Sequence, residues 1–335
     1  MLFFRITCKT KGLTFETLDR CDGKLSKPSW LPGRHLSCRG RNITSWNREA
    51  GMSLIYQLRP AHWIKNGFVL VGLLFGRAIF KPEFVVAAIF AFIAFSLMAS
   101  FVYVINDLAD VEADRLHPVK RNRPIASGAV SVFQAKILVA FLLAVSLPVA
   151  WLASPIVFAI VMGYGVMNLA YSFGLKDIVV LDVFIIATGF MLRILAGTVG
   201  IGIEPSKWLI VCGLMVTLFL GFAKRRSELV QASNNKQRRV LEHYSVELLD
   251  KFIGIMASAT IITYSLYTVA PETVKQHHTD KLIYTSPMVI YGLFRYLFLL
   301  YQRKQGEDPV TDLFHDRQIL LTVLAWGLVT TALVL

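Results

Sequence analysis

The apolar residues of this sequence fall in long unbroken blocks, without the stripes of an amphipathic helix or the alternation of a half-buried strand. Segments 84–105, 132–153, 155–173 and 209–223 hold a single charged residue among them, Lys136. A helix needs about 20 mostly apolar residues to cross the hydrocarbon core of a bilayer, and it is apolar on every side. The pattern therefore predicts an all-α, polytopic membrane protein.

About nine blocks are long enough to be transmembrane helices in one bundle. Hydrophobic residues make up 55% of the chain and charged residues 17%, a composition that excludes an ordinary soluble domain. The predicted spans are 63–80, 84–106, 132–153, 155–174, 178–198, 206–223, 251–270, 282–301 and 318–335.

The loops between these spans predict the orientation of the bundle. With nine spans, the loops after the second, fourth, sixth and eighth share a side with the N-terminus, and they hold fourteen Lys and Arg residues. The opposite loops, together with the span ends beside them, hold five: Arg77, Lys81, Lys207, Lys275 and Lys281. Because cytoplasmic loops carry the excess of Lys and Arg, the first set is predicted to face the cytoplasm.

Residues 1–51 differ from the rest of the chain. They contain ten Lys or Arg against four Asp or Glu, and three of the four cysteines. Either they form a disordered basic extension near anionic lipid, or the translated protein begins at Met52. The second reading is favoured because Met52 leads directly into the first span. In both readings the transmembrane domain is 52–335.

An acidic motif begins where the second predicted span ends. Asn106, Asp107, Asp110 and Asp114 follow one another at steps of one, three and four residues, so a continuing helix would place most of them on one face. Carboxylates at that spacing repel one another, and burying them near a membrane is unfavourable. A divalent cation removes both penalties, and hard oxygen ligands favour Mg²⁺. The alternative is a solvated loop.

A basic loop follows the acidic motif. It contains Lys120, Arg121 and Arg123 between Pro118 and Gly128. Such cations could be ordinary anchors on the cytoplasmic side. Next to a metal site they also suit a diphosphate, because the metal and the basic side chains share its oxygens.

The acidic motif and the Arg-Pro-x-x-x-Gly loop resemble those of the UbiA-type intramembrane prenyltransferase superfamily. Within it the chain is more similar to the decaprenyl-phosphate phosphoribosyltransferase branch. The segments that carry this resemblance are Leu-Arg-Pro-Ala-His-Trp-Ile-Lys-Asn at 58–66, Tyr-Ser-Phe-Gly-Leu-Lys at 171–176, Phe-Met-Leu-Arg-Ile-Leu-Ala-Gly at 190–197, Lys-Arg-Arg-Ser-Glu-Leu at 224–229 and Gly-Glu-Asp-Pro at 306–309.

This resemblance implies a magnesium-dependent transferase that moves 5-phosphoribose from phosphoribosyl diphosphate to a polyprenyl phosphate, for cell-envelope glycan or lipid synthesis. The alternative is a prenyltransferase that joins a polyprenyl diphosphate to an aromatic acceptor such as 4-hydroxybenzoate. That branch carries a second Asp-x-x-x-Asp motif, whereas Asp177 and Asp182 are five residues apart here.

The predicted site residues follow from the motif and the resemblance together. Asp107, Asp110 and Asp114 are the predicted catalytic residues, and with Asn106 they are the predicted Mg²⁺ ligands. Arg193 lies inside a span, where a lone arginine predicts a phosphate or an Asp as its partner. The predicted substrate ligands are Lys65, Lys120, Arg121, Arg123, Tyr171, Lys176, Arg193, Lys224 and Arg225.

Other classes of protein find less support in the sequence. A cation-coupled transporter would place its acids near the midplane in broken helices of repeated halves, but these acids lie at the end of a span. The sequence lacks the Gly-rich phosphate-binding loop that an ATP-driven pump would carry. The predicted partners are the substrates, membrane lipid and a possible second copy of the chain. Nucleic acid is not a predicted partner.

Overall fold

The computed structural model describes residues 53–117, 120–231, 239–302 and 316–335. The predictions for residues 1–51 and the start at Met52 therefore lie outside the described residues. Every regular element within the described ranges is helical, which confirms the predicted fold class. Eight helices there are long and apolar enough to cross a membrane. They are α1 Pro82–Ala109, α2 Val132–Ala153, α3 Pro155–Ser172, α4 Leu181–Ala196, α5 Lys207–Gln231, α6 Val246–Val269, α7 Ser286–Gln302 and α8 Arg317–Val334. Adjoining 3₁₀ turns extend the fourth span to Leu181–Ile201 and the seventh to Lys281–Gln302.

These helices begin and end close to the predicted bounds, with one informative exception. Helix α5 continues to Gln231, whereas the predicted span ends at 223. The extra turns carry the basic residues that follow the apolar block, so apolar length alone predicted only the part of the helix inside the membrane core. Arg225 is buried in this extension, with an exposure of 1%.

The first predicted span, 63–80, is not one of the eight helices. Its residues form a 3₁₀ helix, Pro60–Leu70, followed by a short α-helix, Val71–Phe75. A 3₁₀ helix rises about 2.0 Å per residue, so the two pieces together extend about 30 Å, which matches the hydrocarbon core. The segment is therefore long enough for a first crossing, although it is not the ordinary helix that was predicted.

Side-chain contacts show that this segment runs along α1 in the opposite direction. Near its start Trp63 donates to the Ser100 hydroxyl, and one turn later Asn66 donates to the Ser96 hydroxyl. At its far end Gln276, which lies between α6 and α7, donates to the carbonyl oxygen of Phe75. The segment thus connects the end of the bundle that holds the acidic motif with the opposite end.

Two glycines allow this segment to lie against the C-terminal end of α4. A Cβ atom on Gly197 would come within 1.7 Å of the Val69 carbonyl oxygen, and one on Gly72 within 1.9 Å of the Gly197 carbonyl oxygen. Neither distance is possible for a real side chain, so only glycine permits this backbone contact. The contact fixes the position of the segment relative to α4.

The protein interior consists of two main apolar clusters. In the first, small residues of α1, among them Ala88, Ala91 and Ala94, allow neighbouring helices to approach closely. In the second, Phe219 and Phe222 of α5 pack against α6 and α7. Helices α2 and α3 keep most of their apolar surface exposed, as lipid-facing helices do.

Candidate active site

The acidic motif lies where α1 ends. Helix α1 stops at Ala109, Asp110 leaves the helical conformation with φ −96° and ψ 8°, and a short helix, Val111–Leu116, starts after it. Asp107 and Asp114 are buried, whereas Asp110 is exposed. The helix therefore does not continue through the motif: the chain leaves the helical conformation at Asp110, and Asp114 lies close enough to Asp107 to share a partner with it.

Asp107 is the most highly connected acid of the motif. The Arg59 guanidinium donates through NH2 to both carboxylate oxygens, at 2.7 and 2.8 Å. Gln57 Nε2 donates to Oδ2 at 2.8 Å. Arg123 NH1 lies 3.0 Å from Asp107 Oδ1 and 2.6 Å from Asp114 Oδ2, so it bridges the two carboxylates. Two arginines therefore balance the charge of the two buried acids.

Arg59 reaches Asp107 from a strained backbone conformation. Its φ of 53° and ψ of 56° lie in the left-handed region, which L-residues with side chains rarely adopt. The following residue is Pro60, and a residue before proline normally prefers an extended conformation. Strain of this kind costs about 1–3 kcal/mol and persists where neighbouring contacts hold it. The ion pair with Asp107 and the stacking on the Tyr103 ring are those contacts.

The last turn of α3 joins the acidic motif to a second polar cluster. Ser172 donates to the Asn106 amide oxygen at 2.6 Å. The preceding residue, Tyr171, accepts a hydrogen bond from Arg225 NH2 at 3.1 Å. Consecutive residues thus connect Asn106 with Arg225, which lies on α5.

Arg225 is the centre of this second cluster. Its Nε donates to Asp182 Oδ2 and its NH1 donates to Glu228 Oε2, both at 2.6 Å. Tyr244 donates to the other Asp182 oxygen and accepts from the backbone N–H of Val180. Because two carboxylates already match the Arg225 charge, its predicted role as a substrate ligand requires a phosphate to compete with both of them.

Val180 marks the end of the loop that carries Lys176. Its φ of 69° is unusual for a β-branched residue, and the Tyr244 hydroxyl holds its N–H at 2.7 Å. Burial raises the pKa of the Tyr244 hydroxyl to about 12, with smaller contributions from Asp182, so the group stays protonated and can donate. The second cluster thus positions the loop between α3 and α4.

Three predicted phosphate ligands have no side-chain ion pair with any described residue. Lys120 and Arg121 are exposed on the short 3₁₀ turn of the basic loop, and Lys176 is half-buried on the turn between α3 and α4. Their charges are available to an anionic ligand. Lys65 and Lys224 are half-buried, in the 3₁₀ segment and on α5 respectively.

Arg193 lies deeper in the bundle, 7% exposed. It donates to the Asn66 amide oxygen, the Gly189 carbonyl oxygen and the Tyr164 hydroxyl, at 2.7, 2.7 and 3.0 Å. Its guanidinium also lies over the rings of Phe95, Tyr164 and Phe190. The predicted pairing with an Asp is wrong for the described residues, because amide, carbonyl, hydroxyl and aromatic groups bind the charge instead. A phosphate partner remains a prediction.

The acidic motif has the chemistry of a magnesium site, but its carboxylates are held by arginine. Within the described ranges no three His, Cys, Asp or Glu side chains converge to hold a metal ion. The candidate donors are the oxygens of Asn106, Asp107, Asp110 and Asp114, and carboxylate and amide oxygens are ligands that Mg²⁺ accepts. The set fits Mg²⁺ once the two arginines release these carboxylate oxygens, Arg123 from between Asp107 and Asp114 and Arg59 from Asp107.

Sequence reasoning missed Arg59 and Asp182. Arg59 is marked in the sequence only as part of the segment 58–66 that carries the family resemblance. The only signal for its role was its place in the Leu-Arg-Pro segment at 58–60. Asp182 was considered only as half of a second acidic motif, which its spacing from Asp177 did not match.

A helical membrane bundle with buried acids at one end of a span, and basic loops beside them, defines a class of membrane-embedded transferases. The model of the UbiA prenyltransferase family matches residues 67–316, and this chain belongs to that family. It is therefore an integral membrane protein and a transferase.

Relatives and solved structures agree with this assignment. The chain is 38% identical over 286 residues to the decaprenyl-phosphate phosphoribosyltransferase of Corynebacterium glutamicum, covering 82% of this chain and 84% of the relative. It is 35% identical to the protein of the same name from Mycolicibacterium smegmatis, covering 88% and 96%. A UbiA homologue from Archaeoglobus fulgidus, solved with GPP and Mg²⁺, shares the fold with a TM-score of 0.64 and 22% identity, over 84% of this chain and 99% of that one.

Proposed function

We propose that this protein transfers 5-phosphoribose from phosphoribosyl diphosphate to a polyprenyl phosphate, at the cytoplasmic face of a bacterial inner membrane. The observation that carries the proposal is the similarity to relatives named for this transfer, at 33–38% identity over most of the chain. We also propose that the product feeds cell-envelope glycan or lipid synthesis.

The charges at the acid-rich end of the bundle support a polyanionic donor. Arg123 already donates to two carboxylates through NH1, and a guanidinium also makes charge-assisted hydrogen bonds to phosphate oxygens. Lys120, Arg121 and Lys176 are cations without a carboxylate partner in the described part of the chain. A donor that carries a diphosphate and a separate 5-phosphate requires several such cations at more than one position.

The transfer breaks the bond from the sugar C1 to the diphosphate oxygen and forms a bond from C1 to an oxygen of the lipid phosphate. The bonding electrons leave with the diphosphate. Magnesium, held by Asn106, Asp107, Asp110 and Asp114, would supply charge neutralisation for that diphosphate. The chain's own cations bind the remaining phosphate oxygens. The lipid phosphate is already an anion at neutral pH, so the attack needs no strong general base.

The competing function is transfer of a polyprenyl group from its diphosphate to an aromatic acceptor. Both reactions use a diphosphate donor, so the acidic motif alone does not distinguish them. The experiment compares purified protein in nanodiscs with two substrate pairs: radiolabelled phosphoribosyl diphosphate with decaprenyl phosphate, and geranyl diphosphate with 4-hydroxybenzoate. We expect a labelled, lipid-soluble product from the first pair, and its loss when EDTA removes Mg²⁺. Product from the second pair alone would refute the proposal.

A further inference from the structure

The structure contains an ion pair that competes with the proposed metal for the same carboxylate. Arg59 donates to both oxygens of Asp107, and the Asp107 side chain is only 3% exposed. Gln57 and Arg123 take further lone pairs of the same carboxylate. A cation can reach Asp107 only if at least one of these donors leaves.

The strained backbone conformation of Arg59 indicates that the surrounding structure holds this ion pair in place. The residue is left-handed and precedes a proline, and it begins a 3₁₀ helix of eleven residues, Pro60–Leu70. Runs of 3₁₀ helix longer than three or four residues are uncommon. The Arg59 side chain is 23% exposed, so its guanidinium can turn towards a ligand outside the bundle.

We propose that Arg59 is a resident counter-ion of Asp107, which keeps the carboxylate closed to metal until a diphosphate draws the guanidinium away. This inference rests on the proposed role of Asp107 as a metal ligand, and it holds for either diphosphate donor. Arg59 acts as a positioning residue that exchanges its carboxylate for a phosphate oxygen.

Charge balance explains why the two ligands need each other. A cation that binds alone displaces Arg59 and leaves its guanidinium without a carboxylate. A diphosphate that binds alone draws Arg59 away and leaves Asp107 buried without a partner, which is strongly unfavourable. When both bind, the cation pairs with Asp107 and the guanidinium pairs with the diphosphate. The two ligands therefore bind cooperatively, and the coupling is reciprocal.

The test measures each ligand alone, in the full-length purified protein. Mn²⁺ serves as the metal probe, followed by the loss of its free-ion electron paramagnetic resonance signal. Inorganic pyrophosphate in EDTA serves as the diphosphate probe, followed by calorimetry. We expect Arg59→Gln to bind Mn²⁺ roughly tenfold more tightly than the parent protein, and to bind pyrophosphate roughly tenfold more weakly. A residue with a merely structural role would lower both affinities when replaced.

Three variants make the result specific. Arg77→Gln is the matched control, because Arg77 is also a left-handed arginine, with φ 52°, but donates to backbone carbonyls at the other end of the bundle. It should change neither affinity. In an Asp107→Asn background, Arg59→Gln should no longer raise the Mn²⁺ affinity. Arg59→Lys keeps the charge but replaces the planar guanidinium with an ammonium group, and it should give intermediate shifts, so the test survives if the glutamine variant does not fold.

The outcomes separate this inference from the proposed function. Mn²⁺ affinity that is unchanged or lower in Arg59→Gln would overturn the counter-ion role, even in a protein that transfers phosphoribose. Opposite shifts in the two affinities would support it, even if the transfer assay showed that the donor is a prenyl diphosphate.

Discussion

The Ser172 hydroxyl donates to the Asn106 amide oxygen across 2.6 Å, although the two residues are 66 positions apart in the chain. This bond attaches the end of α3 to the acidic motif. Since the preceding residue, Tyr171, contacts Arg225 of the second cluster, a shift of the α3 end would move both clusters. The proposed metal ligands and the Lys176 loop are therefore parts of one connected polar structure.

Replacing an acid of the motif should separate catalysis from stability. Asp110 is exposed, so Asp110→Asn should lower turnover by about 100-fold or more while the melting temperature stays unchanged. Glu112→Gln is the control, because Glu112 is an exposed acid two residues away. Initial rates at saturating Mg²⁺ and thermal melting in the same detergent check the prediction. Near-normal turnover in Asp110→Asn would remove it from the metal site.

Asp107→Asn should abolish turnover too, but with a loss of stability. The neutral amide leaves Arg59 without its carboxylate, and breaking a buried ion pair costs about 3–5 kcal/mol. Because Arg59 is partly exposed, the lower end of that range is expected. Thermal melting of Asp107→Asn beside Asp110→Asn measures the difference. Equal melting temperatures would contradict the pairing of Asp107 with Arg59.

Lys176 provides a test of the second cationic position. Lys176→Ala should lower the affinity for phosphoribosyl diphosphate by roughly 10–150-fold, the usual effect of losing one charge-assisted hydrogen bond. The affinity for polyprenyl phosphate should change much less. Tyr171→Phe should have a smaller effect of the same kind. Lys136→Ala is the control, because Lys136 is exposed in the first turn of α2. The measurement is KM for the sugar donor with saturating lipid acceptor, and an unchanged KM in Lys176→Ala would reopen the prenyl-donor alternative.

The spans could be predicted from sequence because a membrane helix is defined by a local property, its uninterrupted apolar length. The acidic motif was also predictable, since its spacing is local. The 3₁₀ form of Pro60–Leu70 was not, because it depends on the close contact of Val69 and Gly72 with Gly197, more than a hundred residues away in the chain. Apolar length alone does not distinguish a 3₁₀ helix from an α-helix.

The partners of the charged site residues were harder to predict than the positions of these residues at the helix ends. Arg225 was predicted to bind substrate because it follows an apolar span, yet Asp182, 43 residues away, takes its guanidinium. Arg59 pairs with an acid 48 residues away. Such pairings depend on which helix ends lie side by side in the bundle. The apolar pattern locates each helix end along the chain, but it does not identify the helix that packs beside it.

The buried histidine between α6 and α7 should make stability depend on pH. His277 lies at the end of the short helix Pro271–His277, and its side chain is 4% exposed. Its Nε2 lies 3.3 Å from the Tyr267 hydroxyl, and its Nδ1 has no hydrogen-bond partner in the described structure. Burial, and then the nearby charges of Arg77 and His278, lower the pKa of His277 to about 4. The unfolded chain, with a histidine pKa near 6.5, therefore binds a proton that the folded protein does not. The stabilisation from burying a neutral imidazole is complete above about pH 6.5 and is lost progressively as the pH falls towards 4.

His277→Gln lacks this dependence, so the difference in melting temperature between the parent protein and this variant should shrink as the pH falls. His243→Gln is the control, because His243 is exposed and is not among the groups that lower the pKa of His277, and its difference from the parent should stay constant. Melting curves at half-unit steps from pH 7.5 to pH 4 check the prediction, and a difference for His277→Gln that does not change with pH would contradict it.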